Sequence, residues 1–149
     1  MLRKVILAPV PCWHLHTASG IPNLSERVAF ASSQPDLKSL PIGAPVFICA
    51  SHPEGAPPEA LRLLRPGYAS WTGVLHDVVD AEDGGRRSGK HRDPSVRPPS
   101  AEENDTPVQY FWEVSGLRRL TPPRRLADFQ SNGPMGESPR WPIVVELDF

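Results

Sequence analysis

The sequence predicts an α+β, mainly β domain, and three observations favour this fold class. The length of 149 residues fits a single domain. Nineteen prolines and eleven glycines interrupt the chain so often that long helices and long central strands are disfavoured. The apolar residues, 39% of the chain, gather in short runs rich in Val, Ile and aromatic side chains, which is typical of strands. We therefore expect one domain over 1–149, a small barrel with one to three short helices.

Each predicted strand is a short apolar run bounded by Pro, Gly or polar residues. The predicted strands are 4–10, 27–31, 46–50, 69–79, 108–114 with a continuation over 117–120, and 141–149. A helix is predicted over 58–64 because Pro58 suits a first helical turn, and a second over 124–129 after Pro122 and Pro123. Residues 14–26 are polar and contain Gly20 and Pro22, which favours a loop with room for a helical turn.

Residues 80–107 differ in composition from the rest of the chain. Their only apolar residues are Ala81, Val96 and Ala101, among many Gly, Pro, Ser and charged residues. So little apolar surface does not offset the entropy of ordering a segment. We therefore predict a long mobile loop inserted into the domain.

Charge, cysteine content and hydropathy exclude several classes of protein. The formal net charge of −1 argues against a strongly basic protein that binds nucleic acid nonspecifically. Cys12 and Cys49, without a secretory leader, are expected to be reduced thiols. No run approaches the roughly 20 apolar residues that span a bilayer. We expect a cytoplasmic protein that does not enter membranes.

No pattern typical of catalysis is present. A nucleophile elbow, a phosphate-binding loop and paired carboxylates are all missing. Cys12, His14 and His16 would share one face of a strand, but a fourth zinc ligand at standard spacing is missing. We therefore expect no enzyme activity in this chain, no metal and no cofactor.

The order of four motifs resembles a known superfamily. A strand runs into a Trp-containing loop at 5–13, a glycine turn precedes a buried strand at 40–48, a strand over 70–75 carries Gly73, and the aromatic strand 110–114 precedes 120–123. This order resembles the PUA-like superfamily, particularly EVE domains, with ASCH and YTH domains as relatives. EVE domains typically have Gly-Asp at the glycine turn, where this chain has Gly43 and Ala44.

The resemblance implies a barrel with a pocket for a nucleobase. By this likeness we expect a module that reads a modified base, with modified cytosine in DNA preferred over RNA. Such a module would act as the sensor of a modification-dependent restriction system, with a nuclease in a fused domain or a partner. Two alternatives stay open: an ASCH-like RNA-binding or nucleoside-hydrolase domain, and a protein-interaction module.

The candidate residues follow from the physics of holding a base. A flipped base loses stacking worth a few kcal/mol, and an aromatic platform returns about 1–3 kcal/mol per base. The candidates for the base pocket are Trp13, Trp71, Tyr68, Phe30, Asn23, Ser51 and Ser70. Core packing is an equally good interpretation of Trp71. The candidates for phosphate contacts are Arg86, Arg87, Lys90, Arg92, Arg118, Arg119, Arg124 and Arg125.

Overall fold

The strands of the domain join in one sheet, seen in a computed structural model that describes residues 1–21, 26–82, 91, 93–100 and 108–148. The sheet has seven strands in the order β2-β5-β4-β3-β1-β7-β6. Their bounds are β1 Leu2–Pro11, β2 Val28–Ser32, β3 Pro45–Ser51, β4 Tyr68–Asp80, β5 Tyr110–Arg125, β6 Phe129–Gln130 and β7 Ile143–Asp148. The predicted α+β, mainly β fold class is confirmed at this level.

Strand β1 lies between a parallel and an antiparallel neighbour. It pairs in parallel with β3, where Ile6 is opposite Val46 and Pro11 is opposite Ser51. On its other side it pairs antiparallel with β7, where Val5 is opposite Val145. The carboxyl ends of β1 and β3 therefore meet at one edge of the sheet.

The two faces of the sheet carry separate apolar clusters, because side chains alternate along a strand. Ile6 and Ala8 of β1 belong to the larger cluster, which also takes in Trp71 and Trp112. Val5 and Leu7 of β1 point the other way, into a cluster with Phe47, Phe129 and Leu147. Both faces of β1 are therefore covered, as its continuous apolar run requires.

Helix α1, Cys12–Ala18, replaces part of the loop predicted over 14–26. Leu15 and Ala18 are fully buried and three residues apart, so one face of the helix packs on the larger cluster. The sequence did not predict the full helix because α1 is only seven residues long and follows a proline-rich strand end. The predicted helix over 58–64 is present as α2, Pro58–Leu61, and begins at the proline.

The predicted helix over 124–129 is wrong. β5 continues to Arg125, a 3-10 helix spans Leu126–Asp128, and Phe129 begins β6. The reason is tertiary, because Arg124 and Arg125 pair with Ala69 and Tyr68 of β4. Backbone pairing with a long neighbouring strand outweighs the local preference for a turn after two prolines.

The described parts of 80–107 pack against the sheet more closely than their composition predicts. Ala81 and Val96 are buried in a small cluster with Ala29 and Phe111. A 3-10 helix spans Pro94–Val96, and Ser100 is also buried. Ala81, Val96 and Ser100 are therefore buried although the segment is poor in apolar residues. The mobile insertion over 80–107 stays a prediction.

Among the described residues, no helix is long and apolar enough to cross a membrane.

Candidate nucleic-acid interface

The register of β4 and β5 brings together two sets of predicted site residues that lie about 50 residues apart in sequence. The cross-strand pairs are Tyr68 with Arg125, Ala69 with Arg124, Trp71 with Arg119, and Thr72 with Arg118. We call residues 68–72 of β4 and 118–125 of β5 the arginine ribbon. Three of the seven base-pocket candidates and four of the eight phosphate candidates lie on it.

The arginine ribbon is irregular at its centre. The pairing shifts between Ala69 and Trp71, so residues 120–123 of β5 face the single residue Ser70. Gly73 adjoins a second shift, and a Cβ there would lie 2.5 Å from Val114 Cγ1. Irregular pairing of this kind re-aims side chains and is over-represented beside functional sites.

Trp71 and Arg119 are in direct contact across the ribbon. The guanidinium carbon of Arg119 lies 5.2 Å from the centroid of the indole, within the range of a cation–π interaction. The indole is 6% exposed and belongs to the larger apolar cluster. Its Nε1 and the Oγ of buried Ser70 are both buried without a hydrogen-bond partner in the described part of the chain.

The four arginines of the ribbon differ in whether their guanidinium groups already have partners in the fold. Arg125 donates to the Asp128 carboxylate at 3.1 Å, and Arg124 donates to the main-chain carbonyl of Asp148 at 3.1 Å. Arg118 and Arg119 are exposed, and the described residues provide no carboxylate partner for either. These two guanidinium groups are therefore the ones open to an anionic ligand.

The edge where β1 and β3 end carries two further candidates, Trp13 and Ser51, beside Tyr68 of the ribbon. Trp13 is half-buried on α1, directly after β1. Ser51 ends β3, and its hydroxyl lies 2.6 Å from His52 Nδ1, so that hydroxyl is already engaged. Tyr68, 39% exposed, begins β4. We call this edge, with α1, the α1 edge.

A polar network on α1 was not predicted from the sequence. His14 Nδ1 lies 2.7 Å from Ser100 Oγ, and Thr17 Oγ1 lies 2.8 Å from the same oxygen. Burial lowers the pKa of His14 below its usual value, and electrostatic repulsion by the nearby His52 ring lowers it further. No sequence pattern signals this network, because Ser100 is more than 80 residues from its partners.

A second missed cluster is enclosed between β5, β2 and the segment that follows residue 90. His91 Nε2 lies 2.6 Å from a carboxylate oxygen of Glu113, and both side chains are almost wholly buried. The Asp93 main-chain N–H donates to His91 Nδ1 at 3.0 Å, and the Asp93 carbonyl oxygen lies 3.2 Å from the same nitrogen. Arg27 lies 3.7 Å from the same carboxylate oxygen and pairs with Asp93 at 3.0 Å.

One feature of the sequence indicates this buried cluster, although the cluster was not among the predictions. Glu113 stands in the otherwise apolar run 110–114, where an acid needs a partner to be buried. Its other carboxylate oxygen is buried and without a partner in the described ranges.

Both cysteines are poor nucleophiles in this structure. Burial raises the pKa of the Cys49 thiol to about 11, against a smaller opposing effect of a hydrogen bond with Ser138. Burial also raises the pKa of Cys12. Both are free thiols, and both stay protonated near neutral pH.

Three predicted features are corrected by the geometry. The ring of Phe30 is 4% exposed and stacks on Trp112 with centroids 5.0 Å apart, so it is a core residue and not an open platform. Trp71 and Ser70 are likewise buried, and they line no open surface in this conformation. His14 and His16 lie on a helix and not on a strand, which turns them roughly 200° apart. The described residues contain no group of three metal-ligating side chains.

Some candidates cannot be placed. Asn23, Arg86, Arg87, Lys90 and Arg92 lie outside the described residues, and their predicted roles stay predictions.

Comparison with known proteins gives no relative: no family model, no curated protein and no solved structure matches this chain.

Proposed function

We propose that this chain is a nucleic-acid-binding domain of the PUA-like type, with a sheet closed into a small barrel, that reads a modified base. Modified cytosine in DNA is the preferred target. The domain binds and does not cleave, so cleavage in a restriction system would belong to a fused or partner nuclease. One observation carries the proposal, namely that the arginine ribbon joins the aromatic and arginine candidates in a single stretch of paired strand.

The arginine ribbon would supply affinity through phosphate contacts. Arg118 and Arg119 are exposed on adjacent positions of β5, so their side chains project from opposite faces of the strand. Each guanidinium can bind a separate phosphate through two hydrogen bonds. Such contacts fix the position of a protein on nucleic acid without reading sequence. A net charge of −1 is compatible with this role because the positive charge is local.

The α1 edge would supply base recognition. Trp13 and Tyr68 retain solvent-accessible ring surface, whereas Trp71 is enclosed. Stacking on an accessible ring contributes about 1–3 kcal/mol per base, which offsets the few kcal/mol needed to flip a base out of a duplex. Trp71 then stabilises the ribbon through its cation–π contact with Arg119.

The test is a binding panel of duplex DNA with unmodified, methylated, hydroxymethylated and glucosylated cytosine and with methylated adenine, together with matched RNA. We expect tighter binding to one modified cytosine than to the unmodified duplex. Arg118→Ala and Arg119→Ala should each lower the slope of log affinity against log salt by about 1, because each variant removes one phosphate-binding cation. Arg140→Ala, an exposed arginine on the 131–142 loop, is the charge-matched control.

Variants of the aromatic residues separate recognition of the modified base from electrostatic attraction to the phosphates. Trp13→Ala and Tyr68→Ala should reduce discrimination between modified and unmodified duplex while leaving the salt dependence unchanged. Equal affinity across the panel would reject base reading, and no binding at low salt would reject nucleic acid as the ligand.

A protein-interaction role is the second candidate, and an open groove favours it. The groove has a volume of about 730 Å³ and lies over β1, β6 and β7. Its lining is mostly polar, with Lys4 and Glu146 beside the exposed apolar residues Leu2 and Val144. Partner binding that survives Arg118→Ala and Arg119→Ala, in a protein without affinity for nucleic acid, would support this role.

A further inference from the structure

The hydroxyl and imidazole groups on α1 form a chain whose protons can be arranged in two ways. The heavy atoms are close: His14 Nδ1 to Ser100 Oγ is 2.7 Å, and Ser100 Oγ to Thr17 Oγ1 is 2.8 Å. Thr17 Oγ1 has two further contacts: the Ser100 main-chain N–H donates to it at 3.3 Å, and it lies 3.5 Å from the His14 carbonyl oxygen.

In the first arrangement every proton points away from the ring. The Nδ1–H of His14 donates to Ser100, the Ser100 hydroxyl donates to Thr17, and the Thr17 hydroxyl donates to the His14 carbonyl. Nε2 then carries a lone pair and accepts a hydrogen bond.

In the second arrangement the direction is reversed. The Thr17 hydroxyl donates to Ser100 and the Ser100 hydroxyl donates to Nδ1. Nε2 then carries the ring proton and donates. The two arrangements have the same number of protons and differ by two hydroxyl rotations and the transfer of one ring proton between Nδ1 and Nε2. No heavy atom has to move.

The imidazole stays neutral in both arrangements, which is the condition for either tautomer to exist. Burial disfavours the charged ring, and the neighbouring His52 disfavours it further. His14 also lies directly after Trp13, a half-buried aromatic candidate at the α1 edge. Ser100 itself is 5% exposed, so it is better placed to orient the ring than to attack a substrate.

We propose that His14 is a ligand-reading residue at the α1 edge, whose Nε2 serves as donor or acceptor according to the direction of the Ser100–Thr17 hydroxyl chain. The inference deepens the proposed function and rests on it, since the ligand is the hydrogen-bonding edge of a nucleobase. A base edge presents both donors and acceptors, so His14 would accept bases that differ at one such position. Discrimination among those bases would then come from shape and from the modification.

The first test needs no nucleic acid. Nitrogen-15 NMR of the histidine rings reports which nitrogen carries the proton, and His16→Gln helps to assign the His14 signals. We expect the wild-type ring to populate both tautomers. Thr17→Val removes the acceptor for the Ser100 hydroxyl and should shift His14 toward the tautomer protonated at Nε2. A wild-type ring fixed in one tautomer, with shifts unchanged in Thr17→Val, would overturn the inference.

The second test measures the contribution of His14 to recognition of the base. His14→Ala should weaken binding of the preferred duplex in the panel by about tenfold, the loss of one hydrogen bond of about 1.4 kcal/mol. Unchanged affinity in His14→Ala, with Trp13→Ala impaired, would refute reading by His14 and leave the proposed function standing. Absence of binding by the wild-type protein would refute the proposed function, and reading of a base by His14 with it.

Discussion

The two halves of β5 use charged residues in opposite ways. Glu113 in the first half is enclosed and bound by His91, with Arg27 nearby. Arg118 and Arg119 in the second half are exposed and meet no carboxylate in the part of the chain that the structure describes. The charge of Glu113 is engaged within the fold, whereas the charges of Arg118 and Arg119 stay open to a ligand. A charged residue on this strand therefore indicates function only together with its burial and its partners.

The largest expected effect on stability comes from a substitution in the first half of β5, where Glu113 is enclosed. Glu113→Ala leaves His91 and Arg27 without their shared carboxylate, and loss of one partner of a buried pair costs about 3–5 kcal/mol. Urea unfolding monitored by tryptophan fluorescence measures the free energy of unfolding. Glu146→Ala, an exposed acid on β7, is the matched control and should change it by about 0.5 kcal/mol or less. A loss below about 1 kcal/mol in Glu113→Ala would show that the cluster contributes little to stability.

The next effect tests the junction between the two halves. In Gly73→Ala the new methyl group would lie 2.5 Å from Val114 Cγ1 and 2.8 Å from the Ser115 carbonyl oxygen. Because one contact is with backbone, we expect a loss of about 1–3 kcal/mol of unfolding free energy, read as a lower melting temperature. Gly136→Ala, where a Cβ meets nothing within 4 Å, is the control. Equal melting temperatures for the two variants would contradict the close approach of β4 and β5.

A smaller effect is expected on the open half. Arg119→Ala removes the cation–π contact with Trp71 and should cost about 0.5–1 kcal/mol. Arg118→Ala should stay within about 0.5 kcal/mol of wild type. The same unfolding experiment measures both. Large destabilisation by either variant would mean that the ribbon is structural, and the contrast between the two halves of β5 would fail.

The smallest effect concerns pH. Because the pKa of His14 is lowered in the folded protein, folding favours the neutral ring. The stabilisation is complete above the usual histidine pKa of 6.5 and is lost as the pH falls from there toward the folded value. Melting temperatures of wild type and His14→Gln across this range should converge at the acidic end. Parallel curves would show that His14 is not responsible.

The sequence predicted what depends on local pattern and missed what depends on distant partners. The apolar run 46–50 and the alternating run 69–79 were found as strands because their neighbours match a generic half-buried environment. The parallel pairing of β1 with β3 carries no local signal. The end of β5 was misassigned because its conformation is imposed by β4.

The candidate site divides in the same way. Residue type alone selected Trp13, Tyr68 and the four ribbon arginines. Tyr68, Arg118, Arg119 and Arg125 are exposed, Trp13 and Arg124 are half-buried, and their predicted roles stay predictions. Residue type could not distinguish an open aromatic from an enclosed one, so Phe30 was selected although it packs on Trp112. It also could not bring Ser100 to His14, since their contact depends on how residues 93–100 cross α1.

The position of β1 between β3 and β7 has a consequence for folding on the ribosome. β1 is made first, yet one of its two neighbours is the last strand, with Leu2 opposite Asp148. The backbone amides and carbonyls along one side of β1 therefore stay unpaired until residues 143–148 emerge from the ribosome. During that interval the unpaired side of β1 is exposed to wrong strand pairing.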